Sequence, residues 1–182
     1  MIDLLYSLLL KYDSESSRYL DLFQEIQIGS KVKLLEDGNK FKNIYFVKKG
    51  CLRLSFDNNG VDVTYQFFFD NQVVSGFLDD DESIFTLESL EPTTLIVIKK
   101  NDFDRLIQEI PELKDQFLTF LLQRVANYSK LFLSRIKDSP QIRYQRLLKE
   151  NPHILQRVPQ HYIASYLGIT PVSLSRIRKR KE

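Results

Sequence analysis

The stretch 160–179 reads QHYIASYLGITPVSLSRIRK, and its local signals organise the rest of the 182-residue chain. These signals predict two short helices joined by a tight turn. Gly168 follows the first apolar run, where a helix ends in the left-handed conformation that glycine adopts at little cost. Thr170 then offers a hydroxyl to the free N–H groups of a second helix. Pro171 suits the first position of that helix, where its missing N–H is not needed.

Apolar residues at helical spacing predict one small core shared by the two helices, with Ala164 where they cross. A DNA-binding helix-turn-helix has this layout, and its second helix enters the major groove. The alternative is an ordinary two-helix corner. The predicted core comprises Ile163, Leu167, Ile169, Leu174 and Ile177, and the predicted DNA contacts are Thr170, Pro171, Val172, Ser173, Arg176, Lys179 and Arg180.

Each predicted contact residue suits a different part of the duplex. Arg176 is expected to make a bidentate base contact, most naturally to guanine O6 and N7, and Val172 offers an apolar surface to a thymine methyl. Thr170 and Ser173, at the start of the helix, are expected to meet phosphate. Sequence-independent attraction is assigned to the basic residues at the helix end: Lys179, Arg180 and Lys181.

The charge of the chain is divided unevenly, although its formal net charge is only +2. Residues 138–182 contain nine Lys and Arg against three Asp and Glu, whereas residues 1–137 contain 17 basic and 21 acidic residues. A basic C-terminal piece on a mildly acidic body favours a nucleic-acid-binding module attached to something else. The alternative is a solvated basic tail.

The amino-acid composition argues against membrane, secreted and metal-binding classes of protein. With 43% hydrophobic residues the chain is typical of a folded globular protein of one or two domains, and it has no apolar run that would span a bilayer. The first ten residues resemble an amphipathic helix rather than a signal peptide. We therefore expect a cytoplasmic protein without a membrane partner. The lone Cys51 excludes an internal disulfide and a thiolate metal cage, and we expect no metal or cofactor.

Short alternating strands separated by turn signals fill residues 26–100 and predict a barrel or jelly roll. Gly50 is expected to form a reversed turn between two of them. The predicted strands are Ile26–Ile28, Val32–Leu34, Ile44–Val47, Cys51–Phe56, Val61–Phe69 and Thr94–Ile98.

A long helix without Gly or internal Pro is predicted from Glu112 to about Lys137. It is apolar on two faces, which indicates two packing partners: its own barrel and the same helix of a second chain. The alternative is a helix buried inside a monomer, and the sequence leaves open which face meets the partner chain. The two stripes are Phe117, Leu121, Tyr128 and Leu131, and Leu118, Leu122, Val125, Phe132 and Ile136.

Together these elements predict an α+β chain: an antiparallel β jelly-roll barrel, a long dimerisation helix and a C-terminal all-α helix-turn-helix domain. A helix over 101–110, capped by Asn101 or Asp102, ends the barrel part. The predicted boundaries are an effector barrel over 1–111, the dimerisation helix over 112–137 and a DNA-binding domain over 138–182, with the hinge at 138–140.

This combination resembles the Crp/Fnr family of bacterial transcription regulators over nearly the whole chain. The resemblance rests on stretches 162–170 and 174–179, with Ile44–Gly50 as the supporting mark of the barrel. It implies a barrel like the cyclic-nucleotide-binding domain, a homodimer, paired recognition helices on palindromic double-stranded DNA, and RNA polymerase as a further partner. Family members often carry a β-hairpin wing after the recognition helix; because Glu182 directly follows that helix here, we do not expect a contact between a wing and phosphate.

The barrel departs from the family's ligand pattern. Cyclic-nucleotide sites of this kind carry a Gly-Glu-Leu stretch and, about ten residues later, an Arg next to Ser or Thr; the stretch 71–85 contains neither that Glu nor that Arg. The four acids at 79–82 would repel a phosphate. We therefore predict that cyclic AMP is not the ligand, and that any remaining effector pocket involves Val74, Ser75, Gly76, Phe77, Ser83 and Ile84.

No sequence motif of a hydrolase triad, a phosphate-binding loop or paired catalytic carboxylates is evident, so we expect no enzyme activity. The predicted function is a sequence-specific DNA-binding transcription regulator of Crp/Fnr type with an unknown effector. The alternative is a cyclic-nucleotide-domain-like module that binds a ligand or a protein and does not bind DNA. Salt-dependent binding to DNA separates these two interpretations.

Overall fold

Two four-stranded antiparallel sheets form the N-terminal part of the computed structural model, which describes residues 19–75 and 82–179. Their strands are β1 (Gln24–Ile28), β2 (Lys33–Leu35), β3 (Asn43–Lys49), β4 (Leu52–Asn58), β5 (Val61–Phe68), β6 (Val73–Val74), β7 (Thr86–Ser89) and β8 (Thr93–Lys99). One sheet has the order β1-β8-β3-β6 and the other β2-β7-β4-β5. Two packed sheets with this connectivity form a double-sheet jelly roll.

Apolar side chains that alternate along the strands fill the space between the two sheets. The inward residues of both sheets form one buried cluster, because successive side chains of a strand point to opposite faces. A second cluster lies on the outer face of the first sheet. The inner cluster contains Leu35, Tyr45, Val47, Leu52, Phe68, Val74, Leu87 and Leu95, and the outer one contains Ile44, Phe46, Val73, Ile96, Ile98, Phe103, Leu106, Ile110 and Leu113.

Helices follow the sheets: α1 (Lys100–Glu109), α2 (Pro111–Lys137), α3 (Pro140–Glu150), α4 (Ile154–Arg157), α5 (Gln160–Tyr166) and α6 (Pro171–Lys179). A short 3-10 turn, Leu20–Leu22, precedes β1. The length predicted for the long helix is confirmed to within one residue by α2. Within the described ranges, no helix is both long enough and apolar enough to cross a membrane.

Several local predictions need correction. The cap predicted for α1 at Asn101 or Asp102 is wrong, because the helix starts one residue earlier and Lys99 is its N-cap without a side-chain bond; Asp102 lies in the first turn. Strands β6 and β7 were not predicted, since two and four residues give too short an alternation to recognise. Helix α4 was also missed. The amphipathic helix predicted for the first ten residues lies outside the described residues.

The core of the C-terminal helices is larger than predicted. Ile163, Leu167 and Leu174 are buried in it, and Ile169 and Ile177 pack against it, as expected. The same cluster continues through α3 and α4 into the barrel, where it includes Cys51, which directly precedes β4, and Phe67 of β5. The helices therefore share one apolar core with the outer face of the second sheet. Among the described residues, the buried members of this cluster are Cys51, Phe67, Tyr144, Leu147, Ile154, Val158, Ile163, Ala164, Leu167 and Leu174.

Candidate nucleic-acid interface

A glycine turn separates α5 from α6. Gly168 has a φ of +67°, and its N–H donates to the Ser165 carbonyl at 2.9 Å. The N–H of Ile169 donates to the Ala164 carbonyl at 3.0 Å. These two bonds are the Schellman arrangement, which satisfies the last carbonyls of a helix and reverses the chain within a few residues. The predicted helix end at Gly168 is confirmed.

The start of α6 is capped as predicted. The Thr170 hydroxyl oxygen accepts from the Ser173 N–H at 3.2 Å and lies 3.0 Å from the Ser173 hydroxyl. Pro171 occupies the first helical position. Both hydroxyls take part in this cap and stabilise the first turn of α6. They lie at the N-terminal end of the helix, where free backbone N–H groups favour the binding of anions.

One face of α6 is exposed to solvent and does not pack against the rest of the chain. Leu174 is fully buried, whereas Val172 is 61% exposed and Arg176, one turn later, is exposed too. Ser173 is half-buried, and Arg180 lies outside the described residues. Ser175, exposed three residues after Val172, was not among the predicted contacts, although helical spacing from Val172 could have identified it. The exposed face consists of Pro171, Val172, Ser175, Arg176 and Lys179.

Three other elements hold α5, and through the turn they orient α6. Arg135 of α2 donates to the Tyr166 carbonyl at 3.1 Å, and Arg143 of α3 donates to the Leu167 carbonyl at 2.9 Å. Cations at these carbonyls also complement the negative end of the helix dipole. On the barrel side, the N–H of Thr64 donates to the Ser165 hydroxyl oxygen at 2.9 Å. Since β5 is an edge strand, α5 thereby covers part of an exposed sheet edge.

The predicted hinge is tied to the helices on both sides. Asp138 accepts from the Ser134 hydroxyl and from the Arg146 guanidinium, each at 2.8 Å. The hydrogen bond from Ser134 and the charge of Arg146 lower the pKa of the Asp138 carboxyl below its ordinary value. Arg143 donates to the Asp138 carbonyl at 2.8 Å. The break between α2 and α3 is thus a defined corner.

Four of the six residues predicted for an effector pocket, Val74, Ser75, Ser83 and Ile84, lie within the described ranges, and their environments differ. Val74 is part of the inner barrel core, whereas Ile84 is 64% exposed. The Ser83 hydroxyl is bonded to its own loop, since it accepts from the Phe85 N–H at 3.0 Å. Gly76 and Phe77 lie outside the described residues. A cleft of about 910 Å³ between β5, α2 and α3 is lined by none of the four described pocket residues, which are Val74, Ser75, Ser83 and Ile84.

Aromatic side chains occupy the end of the barrel next to α2. Phe85 packs against Phe56 and Tyr65, with ring centroids 6.0 and 5.1 Å apart. Tyr128 of α2 donates to the Gln66 side chain at 2.9 Å. Arg124, also on α2, donates to the Val73 carbonyl at 2.9 Å. These contacts join α2 to the barrel through its Phe117–Tyr128 stripe, the first of the two apolar stripes.

Among residues 19–75 and 82–179, no group of three or more His, Cys, Asp or Glu side chains is placed to hold a metal ion. Cys51 is fully buried. Burial, aided by the nearby negative charge of Glu91, raises the pKa of the Cys51 thiol to about 12. A thiol held neutral in this way is a poor nucleophile and packs as a small apolar residue.

The fold is thus a jelly-roll barrel followed by a long helix and a helical C-terminal unit, and comparisons with known proteins agree. Residues 29–110 match the family model of the cyclic nucleotide-binding domain. A sequence search of curated proteins gives no match.

Similar structures are found among Crp/Fnr-type transcription regulators. FixK2 from Bradyrhizobium japonicum has a TM-score of 0.75 at 14% identity, over 87% of this chain and 83% of that chain. A protein from Eubacterium rectale assigned to the Crp/Fnr family of transcriptional regulators has a TM-score of 0.71 at 15% identity, over 93% and 84%. CLP of Xanthomonas campestris, a c-di-GMP-responsive global regulator, has a TM-score of 0.67 at 15% identity, over 90% and 88%. At these identities the similarity establishes the shared fold.

Proposed function

We propose that the protein is a homodimeric, sequence-specific DNA-binding transcription regulator of Crp/Fnr type. In this proposal residues 138–182 form the helix-turn-helix DNA-binding domain, residues 112–137 the dimerisation helix and residues 1–111 a barrel that regulates or supports them. The shared fold with Crp/Fnr-type regulators supports the class. The DNA contacts proposed are those of the sequence analysis, with Ser175 added.

The exposed face of α6 is the observation that carries the proposal. Leu174 anchors the helix in the core, so the outward direction of Val172 and Arg176 is fixed. A guanidinium on a rigid, solvent-facing helix that begins with a capped turn suits major-groove readout, in which an Arg pairs with guanine O6 and N7. The alternative of an ordinary two-helix corner does not explain why Val172, Arg176 and Lys179 share this exposed face.

The exposure of α2 supports the dimer and favours one of its two stripes. Leu122, Val125 and Ile136 are 62%, 62% and 68% exposed, whereas Phe117 packs on the outer core of the barrel. The exposed positions 118, 122, 125, 129, 132 and 136 advance by alternating steps of four and three, which is the spacing of a coiled-coil seam; Ser129 is its polar member. We propose that this stripe meets the same helix of a second chain.

For the barrel, we propose that cyclic AMP is not the effector. A cyclic phosphate bound inside a protein needs a cationic partner. Arg53 of β4 already contacts Asp62 and Glu88, and Arg124 is bound to the Val73 carbonyl. Titration calorimetry with cyclic AMP is expected to show no micromolar binding, and a saturable heat at that concentration would contradict this part of the proposal.

The test of the proposed function is selection of binding sites from random duplexes, followed by a salt series with the selected operator. Arg176→Ala is expected to lose about 1–3 kcal/mol per half-site and to relax specificity at one base position. Arg105→Ala, an exposed Arg of α1, is the matched control and should bind like the unmodified protein. Absence of salt-dependent DNA binding would instead support the alternative of a module that binds a ligand or protein.

A further inference from the structure

Arg157 of α4 joins the C-terminal helices to the barrel by contacts with two acids and one carbonyl. Its guanidinium lies 2.8 Å from an Asp70 carboxylate oxygen and 2.6 Å from a Glu91 carboxylate oxygen, and it donates to the Gly50 carbonyl at 2.7 Å. It also lies 5.1 Å from the centre of the Phe69 ring. The side chain is only 23% exposed, so these charge-assisted contacts are partly shielded from solvent.

The three residues that bind the Arg157 guanidinium lie in three turns of the barrel. Gly50 lies between β3 and β4, Asp70 follows β5, and Glu91 lies between β7 and β8. Asp70 also accepts from the Gly50 N–H at 2.7 Å, which fixes two of the three partners relative to each other. A fork-shaped cation thus meets a preformed set of acceptors, and this geometry favours Arg over Lys.

A second polar contact lies on the same face of the barrel. Arg53 is nearly fully buried, and its guanidinium stacks 3.8 Å from the centre of the Tyr162 ring of α5. The carboxylates of Asp62 and Glu88 both contact this guanidinium, and its Nε donates to the Thr64 hydroxyl at 2.9 Å. The cation–π contact with Tyr162 therefore connects an ion-paired barrel site to the first helix of the proposed DNA-binding pair.

The apolar joint beneath these contacts contains the only cysteine of the chain. Cys51 and Phe67 belong to the buried cluster formed with α3 to α6, and the Phe67 and Tyr166 rings lie 5.4 Å apart. The exposed face of α6 lies outside this joint, so docking covers none of Val172, Arg176 or Lys179. Docking to the barrel therefore leaves this face of α6 exposed.

We propose that Arg157 is a positioning residue that locks each C-terminal unit on its barrel, and that this lock fixes the separation of the two recognition helices in the dimer. The proposal rests on the DNA-binding function proposed above. Half-sites of a palindrome lie about 34 Å apart, so both helices can bind together only if each is held at a set distance from the dimer axis. Free units would bind the second half-site at a lower effective concentration.

The first experiment measures docking without DNA, through the reaction of Cys51 with a maleimide in the folded protein. Arg157→Gln is expected to raise the labelling rate at least about tenfold, because Cys51 becomes accessible when the unit detaches. Glu91→Gln removes a partner of Arg157 on the barrel side and should also raise the labelling rate. It replaces Arg157→Gln in this experiment if that variant does not fold. Arg176→Gln is the matched control on the exposed face and should label at the unmodified rate.

The second experiment measures affinity for the selected palindrome and for a duplex carrying one half-site. Arg157→Gln should weaken binding to the palindrome about 10–100-fold and leave the half-site affinity within about twofold. Arg176→Gln should weaken both. An Arg157 that touches phosphate would instead lower both affinities to a similar extent.

The outcomes separate the two proposals. Unchanged Cys51 labelling in both Arg157→Gln and Glu91→Gln would overturn the lock. Faster labelling with unchanged palindrome binding would overturn the positioning role, and tighter binding would mean that the lock opposes DNA recognition, which contradicts it as well. If the unmodified protein binds no duplex, the proposed function fails and the positioning role with it, whereas faster labelling of Arg157→Gln would still demonstrate the docked contact.

Discussion

At the scale of single residues, Gly50 shows how a barrel turn serves the joint between the two parts of the chain. Its φ is +123°, and a Cβ at this position would lie 2.4 Å from the Thr93 hydroxyl oxygen and 2.8 Å from the Thr93 Cα. Neither the backbone angle nor the space admits a side chain. The same residue supplies the carbonyl that Arg157 binds.

Gly50→Ala is therefore expected to lower the free energy of unfolding by about 2 kcal/mol or more, since backbone strain and the contact with Thr93 add together. Gly38→Ala is the control: its φ is +81° but nothing lies within 4 Å of the added methyl. That change should cost only about 1 kcal/mol. Urea unfolding followed by circular dichroism measures both, and equal losses would show that the Thr93 contact is unimportant.

Asp70 gives the joint a pH dependence. Burial raises the pKa of its carboxyl, but the hydrogen bonds from Arg157 and from the Gly50 N–H outweigh it and leave the pKa below the ordinary value. A lowered pKa in the folded state means that the stabilisation is complete above about pH 4 and is lost as the pH falls through the folded-state pKa. Asp70→Asn should thus be less stable than the unmodified protein at pH 7.

The difference in unfolding free energy between the unmodified protein and Asp70→Asn should narrow as the pH falls from about 5 to about 2. Urea unfolding at a series of pH values measures it. Asp115→Asn, an exposed position on α2, controls for the loss of one charge. A stability difference that stays constant across the series would contradict the assigned role of the Asp70 carboxylate.

At the scale of secondary-structure elements, α2 carries the proposed dimer interface. An exposed row of large apolar side chains along most of a 27-residue helix is unusual in a monomer, and it marks an interaction surface. The other stripe meets the barrel through Phe117 and Tyr128. The two stripes thus have different environments although their compositions are similar.

Leu122→Asp is expected to convert the dimer to a monomer, because the carboxylate would be buried without a partner in the helix pair. Gln123→Asp places the same charge one residue away, on an exposed position outside the stripe, and should leave the dimer intact. Analytical ultracentrifugation at micromolar concentrations measures both. A monomeric unmodified protein would show that this assignment of the stripe is wrong.

At the scale of the whole molecule, the shared core links the stability of the barrel to that of the C-terminal helices. Phe67 is 6% exposed and touches Tyr166 across the joint. We expect a single cooperative thermal transition, because neither part can unfold without exposing apolar surface of the other. Two separate transitions in calorimetry would contradict this expectation.

Phe67→Ala should lower the free energy of unfolding by about 3 kcal/mol and should raise Cys51 labelling as well, since it leaves a cavity in the joint. Val61→Ala, on the same strand but 61% exposed, should change stability by less than about 0.5 kcal/mol. Stability loss without a change in Cys51 labelling would indicate that Phe67 supports the barrel alone.

Features that depend on neighbouring residues could be predicted from the amino-acid sequence. The Gly168 turn, the Thr170 cap, the Pro171 start, the extent of α2 and most of the strands follow from local conformational preferences and from periodicity, and the structure confirms them. Short strands such as Val73–Val74 could not be predicted, because two residues are too few to show an alternating pattern. Their pairing partners are distant in sequence and provide the stabilisation.

The contacts between the barrel and the C-terminal helices could not be predicted from the sequence and are seen in the folded structure. Arg53 and Arg157 carry no sequence signal that separates them from the other basic residues, because their partners are distant along the chain. Glu88 lies 35 residues from Arg53, and Asp70 and Gly50 lie 87 and 107 residues from Arg157. The choice of exposed stripe on α2 also depended on where the barrel packs. Local preference specifies the longer helices and strands, whereas contacts between distant segments stabilise the short strands. Burial and charge pairing between distant segments also fix the arrangement of these elements, and that arrangement orients the exposed face of α6.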